Sequence, residues 1–324
     1  MTMAQPVGIF FEHPEWFKKL FARLDERGIP YEKLHAGFHR FNPLETERKY
    51  SLVFNRISSS AYTRGHGQGI FYSKAFIAYI EQNGVPVING SKATEIETSK
   101  ALQLLLFQRL GLKFPKSIVV NHASQILDAA KELQFPIAVK PNIGGAGAGI
   151  IRFNTLASLE EAVESDSISL GIDETALVQE FIPARGGHIN RVETLNGKFL
   201  YAIKVFTTGE SFNLCPAEIC QVPQAQEEAP QAIGEVCMTT AVKKGLKVEA
   251  FTPPTAVIEA VEQIVKEANI NVGGIEYIVD DRNGDILFYD INALSNFIAD
   301  AEQVIGFDPF VNLVDYIETL IKNP

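Results

Sequence analysis

Apolar residues in the first 92 positions form short continuous runs separated by stretches with helical spacing. The run Val7–Phe11 predicts a buried strand, and residues 14–27 repeat apolar side chains every three or four positions, which predicts a helix. The same pattern continues with strands over 31–34, 51–54 and 85–89 and a helix over 73–83. Because strands alternate with helices, residues 1–92 are expected to form a small α/β unit whose sheet is covered by helices.

From residue 93 onward the pattern becomes a mixture of helices and strands. A helix is predicted over 93–110, with Leu102, Leu105, Leu106 and Leu110 on its apolar face and Gly111 as its C-terminal cap. The other predicted elements are strands over 117–120, 137–140, 149–153 and 176–179 and helices over 124–133 and 158–165. Residues 93–178 are therefore expected to form one α+β unit.

The last part of the chain, residues 179–324, contains two predicted β-hairpins. The first joins strands 191–195 and 198–205 through Asn196-Gly197, a strong signal for a two-residue turn. The remaining elements are a hairpin of strands 273–279 and 285–291 and helices over 254–268 and 309–321. This pattern predicts a second α+β unit, while residues 227–252 give no clear pattern.

The composition indicates a folded protein rather than a disordered one. The 324 residues are 46% hydrophobic and 21% charged, and the net charge of −10 argues against a nucleic-acid partner. No apolar run or leader suggests a membrane segment or secretion, which predicts no membrane partner and a cytoplasmic location. Cys215, Cys220 and Cys237 lack C-x-x-C spacing and are expected to be reduced thiols. A homo-oligomer is compatible with the sequence, which leaves the oligomeric state open.

A lysine followed by a glycine-rich stretch is the first candidate for chemistry. Lys140 ends a predicted buried strand, and Gly144, Gly145 and Gly147 follow in what we call the glycine loop, residues 144–149. Glycine permits close approach, so backbone N–H groups can surround phosphate oxygens while Lys140 adds a positive charge. The segment is neither a Walker loop nor a dinucleotide fingerprint. A ligand-free glycine hairpin with Lys140 at a sheet edge is the alternative.

Oxygen-bearing side chains near the C-terminus predict a metal site. Asp290 and Asn292 are two apart on a strand and share a face, and Glu276 on the preceding strand can face them. Mg²⁺ prefers oxygen ligands, so this trio is a candidate magnesium site, with manganese as the alternative ion. A solvent-facing polar stripe is the structural alternative.

Three further segments can contact ligands. The strand that ends at Gln179, Glu180, Phe181 and Ile182 can present its backbone to an adenine ring and Glu180 to a ribose, although most such strands are core. Arg191 and Lys204 are expected to face each other across the first hairpin as phosphate partners, with surface charge as the alternative. The polar segment 56–66 carries Arg56 and Arg64, which can clamp a substrate carboxylate; a packed structural loop is the alternative.

Taken in order, these motifs resemble the ATP-grasp superfamily, and within it the RimK-like amino-acid ligases related to glutathione synthetase. The resemblance spans nearly the whole chain and implies an ATP-grasp fold, in which two α+β subdomains enclose ATP behind a small N-terminal α/β domain. It is carried by residues 84–89, Lys100, Lys140 with the glycine loop, Val178–Ile182, Arg191-Val192 and Asp290–Asn292.

The resemblance also implies roles for individual residues. Lys100 and Lys140 would contact ATP phosphates, Asn213 would approach them, Gln179 to Ile182 would line the adenine and ribose site, and Arg191 would stabilise the transferred phosphoryl group. Glu276, Asp290 and Asn292 would hold magnesium, and the glycine loop would be a lid that is mobile until ATP binds.

The implied activity is ATP-dependent ligation of a carboxylate to an amine through an acyl phosphate, on an amino acid or small peptide. Residues 213–218 and 293–297 depart from the RimK-like pattern, so the substrates stay unidentified; Arg56, Arg64 and Asn296 are the candidate substrate contacts. Two alternatives are an ATP-grasp enzyme of another reaction type, such as a kinase, and a non-catalytic ATP-binding regulatory module.

Overall fold

The N-terminal part of the chain forms a parallel four-stranded sheet. The computed structural model describes residues 5–13, 15–145, 147–206 and 247–322. The strands are β1 (Val7–Phe11), β2 (Tyr31–His35), β3 (Leu52–Arg56) and β4 (Val87–Ile88), in the order β2-β1-β3-β4, with helices α1 (Lys18–Glu26) and α2 (Gly67–Gln82). β1 and β3 are neighbours and end in register, Phe11 beside Arg56. The strand order reverses between them, which is where open α/β sheets bind ligands.

The second sheet is antiparallel and carries the glycine loop. Its strands are β5 (Ser117–Val120), β6 (Ile137–Pro141), β7 (Ile151–Phe153) and β8 (Ala176–Glu180), in the order β5-β8-β6-β7, with helices α5 (Ile126–Lys131) and α6 (Leu156–Glu164). Val139 and Val178 pack against these helices. Because side chains alternate along a strand, Ala138 and Lys140 point to the opposite face.

The third sheet contains both predicted hairpins. Its strands are β9 (His188–Leu195), β10 (Lys198–Phe206), β11 (Val248–Ala250), β12 (Val272–Val279) and β13 (Ile286–Asn292), in the order β11-β10-β9-β12-β13. Asn196 and Gly197 both have positive φ, 51° and 71°, as the Asn-Gly signal predicts for this turn. The remaining helices are α3 (Ser91–Glu97) and α4 (Lys100–Arg109), which precede the second sheet, and α7 (Thr255–Glu267), α8 (Ala301–Ile305) and α9 (Pro309–Lys322).

The single helix predicted over 93–110 is wrong in two respects. It is divided into α3 and α4, because the side chain of Ser99 caps a new helix by accepting from the Leu102 amide. Its predicted apolar face is wrong at two positions, since Leu102 is 40% and Leu105 58% exposed, whereas Leu106 is buried as expected. The buried face of α4 carries Lys100, Gln103, Leu104, Leu106 and Phe107.

Hydrophobic cores cross the predicted unit boundaries. Phe107 of α4 packs with Val192 and Ile275 of the third sheet, and Leu20 of α1 packs with Leu313 of α9. The predicted boundary between residues 178 and 179 falls inside β8. The division into units 1–92, 93–178 and 179–324 stays a prediction, and hydrophobic packing crosses its boundaries. Within the described ranges, no helix combines the length and the apolar character needed to cross a bilayer.

Candidate functional site

The two predicted phosphate lysines come from adjoining segments. Lys100 begins α4, and its amide N–H donates to the carbonyl of Asn142, 3.2 Å away. The side-chain oxygen of Asn142 accepts from the Ala101 amide at 2.9 Å. Asn142 lies two residues after Lys140 and thus ties the end of β6 to the start of α4. Sequence reasoning missed Asn142, although it follows Lys140-Pro141 directly.

Lys100 also joins the lysines to the predicted metal ligands. Its Nζ lies 3.0 Å from Oδ1 of Asp290, and both side chains are almost fully buried. Asp290 is in register with Glu276 across the hairpin, as predicted. Asn292 donates to Oδ2 of Asp290 at 2.7 Å. The structure therefore brings the whole predicted trio together beside Lys100.

The carboxyl group of Glu276 is buried close to a second carboxyl group, that of Asp290. Burial raises the pKa of Glu276, nearby Arg191 opposes that rise, and the charge of Asp290 adds to it. Glu276 accepts hydrogen bonds from Tyr289 and Arg191 at 2.7 and 2.8 Å. No group of three or more His, Cys, Asp or Glu in the described part of the chain is placed to hold a metal. Asn292 and phosphate oxygens would have to complete any cation site.

Arg191 is buried inside a polar cluster. Its guanidinium donates to Glu193 at 2.7 Å, Glu276 at 2.8 Å and Ser295 at 3.0 Å. Burial alone would lower the pKa of Arg191, but the two carboxylates raise it above its ordinary value. Gly274 makes room for this cluster, since a Cβ there would lie 2.7 Å from Arg191 Nε. Arg191 therefore fixes Glu276 in place.

The expected pairing of Arg191 with Lys204 is wrong. Arg191 is opposite Ile203, and Lys204 is opposite Asn190, so the two side chains leave the sheet on opposite faces. Lys204 lies 5.2 Å from the centre of the Phe251 ring. The hairpin itself was predicted correctly, but the predicted register between its two strands was wrong by one residue.

Arg56 and Arg64 do not form the predicted carboxylate clamp. Arg56 is 3% exposed and donates to Ser295 O at 2.7 Å and Asn296 Oδ1 at 2.8 Å. Its Nε and Nη1 are buried without a hydrogen-bond partner, and burial lowers the pKa of Arg56 to about 9. Arg56 thus holds the turn after β13, together with the predicted Asn296, and faces no open surface.

Arg64 is paired with a carboxylate that sequence reasoning missed. Its Nε and Nη2 donate to Glu12 at 2.9 and 2.6 Å, and His66 Nδ1 lies 2.8 Å from the same carboxylate. Burial alone would raise the pKa of Glu12, but the hydrogen bonds from Arg64 and His66 hold it below its ordinary value. This cluster lies at the carboxyl ends of β1 and β3, directly after Phe11.

The predicted adenine segment leaves the second sheet as expected. Gln179 donates to Ser117 at 2.6 Å, and Glu180 accepts from the Gln134 amide at 3.0 Å. The backbone N–H groups of Glu180 and Phe181 donate to the carbonyls of Lys116 and Pro136, and Ile182 is buried. The guanidinium of Arg152 lies over the Phe181 ring, 4.1 Å from its centre, a contact that sequence reasoning missed.

The glycine loop contacts the N-terminal sheet through Ser59. The Ser59 hydroxyl lies 2.9 Å from the Gly144 carbonyl and 3.1 Å from Glu97 Oε1. Because that hydroxyl has one proton and a carbonyl only accepts, both bonds form together when Glu97 carries a proton. Burial and the charge of Asp290 raise the pKa of Glu97 to about 7, so neutral Glu97 is accessible near neutral pH.

Two glycines of the loop have the conformation that only glycine adopts readily. Gly147 has φ 75° and Gly149 has φ 76°. Asn213, the three cysteines and Ala146 lie outside the described residues, so the predicted contact of Asn213 stays a prediction.

Comparison with curated proteins finds sequence similarity to amino-acid ligases. The chain is 27% identical over 156 residues to a probable alpha-L-glutamate ligase 2 of Pseudoalteromonas atlantica, a match that covers 48% of each chain. It is 27% identical over 209 residues to a D-alanine–D-alanine ligase of Azoarcus sp., covering 60% of this chain and 64% of that protein. The chain thus spans from about half to just under two thirds of the length of these relatives. No family model matches the chain.

Solved structures match over almost the whole chain. The ATP-grasp ligase PsnB, complexed with a minimal precursor, has a TM-score of 0.65 at 16% identity and covers 97% of this chain and 98% of its own. The D-alanine–D-alanine ligase of Bacillus anthracis complexed with ATP has a TM-score of 0.64 at 15% identity, covering 98% and 97%. At these identities the likeness establishes the fold. The chain therefore has the ATP-grasp fold, as its motifs predicted.

Proposed function

We propose that this protein is an ATP-dependent carboxylate–amine ligase. The γ-phosphoryl group of ATP is transferred to a substrate carboxylate, so the bond from Pγ to the ADP oxygen breaks and a new P–O bond gives an acyl phosphate. An amine nitrogen then attacks the carbonyl carbon, phosphate leaves, and the amine loses a proton. Catalysis of such a transfer rests on positioning and charge stabilisation.

The contact between Lys100 and Asp290 carries the proposal. It joins a lysine expected to bind phosphate to a carboxylate expected to bind magnesium, although they are 190 positions apart in the chain. Lys140 lies on the strand that Asn142 ties to α4. We place the ATP phosphates where these segments meet, with Gly144, Gly145 and Gly147 supplying backbone N–H groups. Gln179 to Ile182 are assigned to adenine and ribose.

The acidic trio suits Mg²⁺ in its donor chemistry. Magnesium is usually held by one or two carboxylates and substrate phosphates. Glu276 and Asp290 are buried in register, and the Asn292 side-chain oxygen accepts no hydrogen bond from the described residues. A cation would relieve the repulsion between the two carboxylates. When bound, the ion would neutralise charge on the transferred phosphoryl group, and Mn²⁺ has the same ligand preference.

Arg191 and Lys204 take different roles in this proposal from those first expected. Arg191 is a positioning residue that acts through Glu276, since its donors already bind Glu193, Glu276 and Ser295. Lys204, on the other face of the third sheet, is left out of the phosphate site.

The acceptor or carboxylate substrate is assigned to the carboxyl edge of the N-terminal sheet. Glu12, Arg64 and His66 meet there beside the ends of β1 and β3. Nε2 of His66 makes no hydrogen bond to the described residues. The relatives named for alpha-L-glutamate ligation and D-alanine ligation suggest an amino acid or short peptide as substrate. We place the reaction in the cytoplasm, where ATP is supplied.

The proposal is tested by measuring ADP release with pairs of amino acids. The panel contains L-glutamate, D-alanine and the common L-amino acids, alone and in pairs, with Mg²⁺ and ATP. N-acetyl amino acids, which lack the amine, and amino-acid amides, which lack the carboxylate, are the single-group controls. We expect ADP only when a carboxylate and an amine are both present. ADP formation with a single non-amine acceptor would indicate a kinase, and saturable ATP binding without turnover on any pair would indicate a regulatory module.

A further inference from the structure

The glycine loop contacts the segment after β3 of the N-terminal unit at Gly144, Gly145 and Ala148. Ile143, just before the loop, is 3% exposed and belongs to the hydrophobic core of the N-terminal unit, with Phe10 and Ile57. The Gly144 carbonyl accepts from Ser59, and the Ala148 carbonyl accepts from the Tyr62 hydroxyl at 3.4 Å. These contacts join the glycine loop to the segment that follows β3.

Steric fit supports the same docking independently of the hydrogen bonds. A Cβ on Gly145 would lie 2.9 Å from Ser60 Cβ and 3.2 Å from Ser60 N, so the loop backbone rests directly on the serine segment 58–60. A Cβ on Gly144 would lie 3.6 Å from its nearest neighbour, which is ordinary contact. Glycine is thus required at 145 by the approach to Ser60, while its neighbour has room for a methyl group.

The serine segment also reaches the Glu12 cluster. Ser60 Oγ accepts from Arg64 Nη1 at 3.2 Å, and Arg64 holds Glu12. Ser59 contacts Glu97 at the end of α3, next to the residues assigned to phosphate and magnesium. One short segment therefore touches the glycine loop, the proposed substrate edge and the phosphate side.

We propose that Ser59 and Tyr62 are positioning residues that hold the glycine loop closed against the N-terminal sheet and thereby couple the substrate edge to the cover over the ATP phosphates. This inference rests on the proposed function. The cover closes on the side where the acyl phosphate forms, which shields that intermediate from water until an amine arrives.

The docking is tested by amide hydrogen exchange of the full-length, ligand-free chain across residues 141–151. We expect Ser59→Ala to speed exchange of the loop amides at least fivefold, because the bond to Gly144 O is lost. Ser58→Ala is the matched control, since among the described residues the Ser58 hydroxyl bonds to Ser60 alone and its loss leaves the loop contacts intact. Gly145→Ala should also speed exchange, and Gly144→Ala should not. Tyr62→Phe, which keeps the ring, covers the case in which Ser59→Ala does not fold.

Exchange that is equal in wild type, Ser59→Ala and Tyr62→Phe would overturn the docking proposal. The ratio of ADP released to amide formed is a second measurement, and it would not change if Ser59 had only a structural role. We expect Ser59→Ala to release at least twice as much ADP per amide formed as wild type, because an open cover lets water consume the acyl phosphate. An unchanged ratio contradicts the coupling. The exchange result is independent of catalysis, so failure of the ligase proposal would be visible separately as wild-type inactivity.

Discussion

Lys100 and Asp290 form a buried ion pair, with Nζ and Oδ1 3.0 Å apart, between the first turn of α4 and the last part of β13. Removing one partner of a buried pair leaves an uncompensated charge. We therefore expect Lys100→Met to lower the free energy of unfolding by about 3 kcal/mol, measured by urea denaturation without nucleotide. The double variant Lys100→Met with Asp290→Asn should recover part of that loss. A double variant as unstable as the sum of its singles would contradict the pairing.

Gly274 should tolerate no side chain, because its missing Cβ is the space that Arg191 and Glu193 occupy. A Cβ there would lie 2.7 Å from Arg191 Nη2 and 2.8 Å from Glu193 Oε1. Gly274→Ala should cost about 2 kcal/mol of stability through overpacking. Gly69→Ala is the control, since its Cβ meets no atom closer than 3.6 Å and Gly69 lies in α2. Equal unfolding midpoints for both variants would show that Arg191 and Glu193 move aside for the added methyl group at little cost in stability.

Acid should weaken the fold through His13. The His13 ring is 3% exposed and stacks on Trp16 at 4.0 Å, and burial together with Arg64 lowers the pKa of His13 from 6.5 to about 4. The folded state therefore resists a proton that the unfolded chain accepts. The stabilisation that neutral His13 gives to the folded state is complete above pH 6.5, and it is lost as the pH falls towards 4.

The measurement compares wild type with His13→Gln by urea denaturation at pH 7 and pH 4.5. The unfolding free energy of wild type should fall by about 2 kcal/mol relative to that of the variant at the lower pH. The reason is that unfolded wild type binds a proton at His13, which the variant lacks. Two proteins that lose stability in parallel would exclude His13 as the source.

Nucleotide should stabilise the protein mainly when magnesium is present. The buried carboxylates of Glu276 and Asp290 would repel a triphosphate unless a cation lies between them. We expect ATP with Mg²⁺ to raise the melting temperature by several degrees and ATP with a chelator to raise it much less. Asn292→Ala should reduce the magnesium-dependent part and leave the ligand-free melting temperature nearly unchanged. Equal stabilisation in chelator would contradict the metal assignment.

Patterns local to the chain predicted most of the fold. The Asn196-Gly197 turn and the strands beside it follow from short-range signals, and the pairing of Glu276 with Asp290 follows from strand alternation. The face of α4 could not be predicted in this way. It is set by Gln103, which donates to the Ile96 and Ile291 carbonyls, so hydrogen bonds outweigh the leucine pattern.

Sequence reasoning missed or misplaced several residues whose partners come from distant parts of the chain. Arg56 carries a charge in a polar segment, so the sequence favours exposure. Only the tertiary structure shows that Arg56 is enclosed by Phe17, Phe54 and the turn at Ser295. Glu97 was missed for the same reason, since Ser59 and the Ala293 amide reach it from distant parts of the chain.

The central claim is that a carboxylate is activated by ATP as an acyl phosphate. The most direct measurement uses the carboxylate substrate found in the amino-acid panel, labelled with ¹⁸O in its carboxyl group, and follows the label by mass spectrometry. Our account predicts that one ¹⁸O atom appears in inorganic phosphate for each amide formed, and that ADP is the nucleotide product. Unlabelled phosphate, or label recovered in AMP, would contradict it.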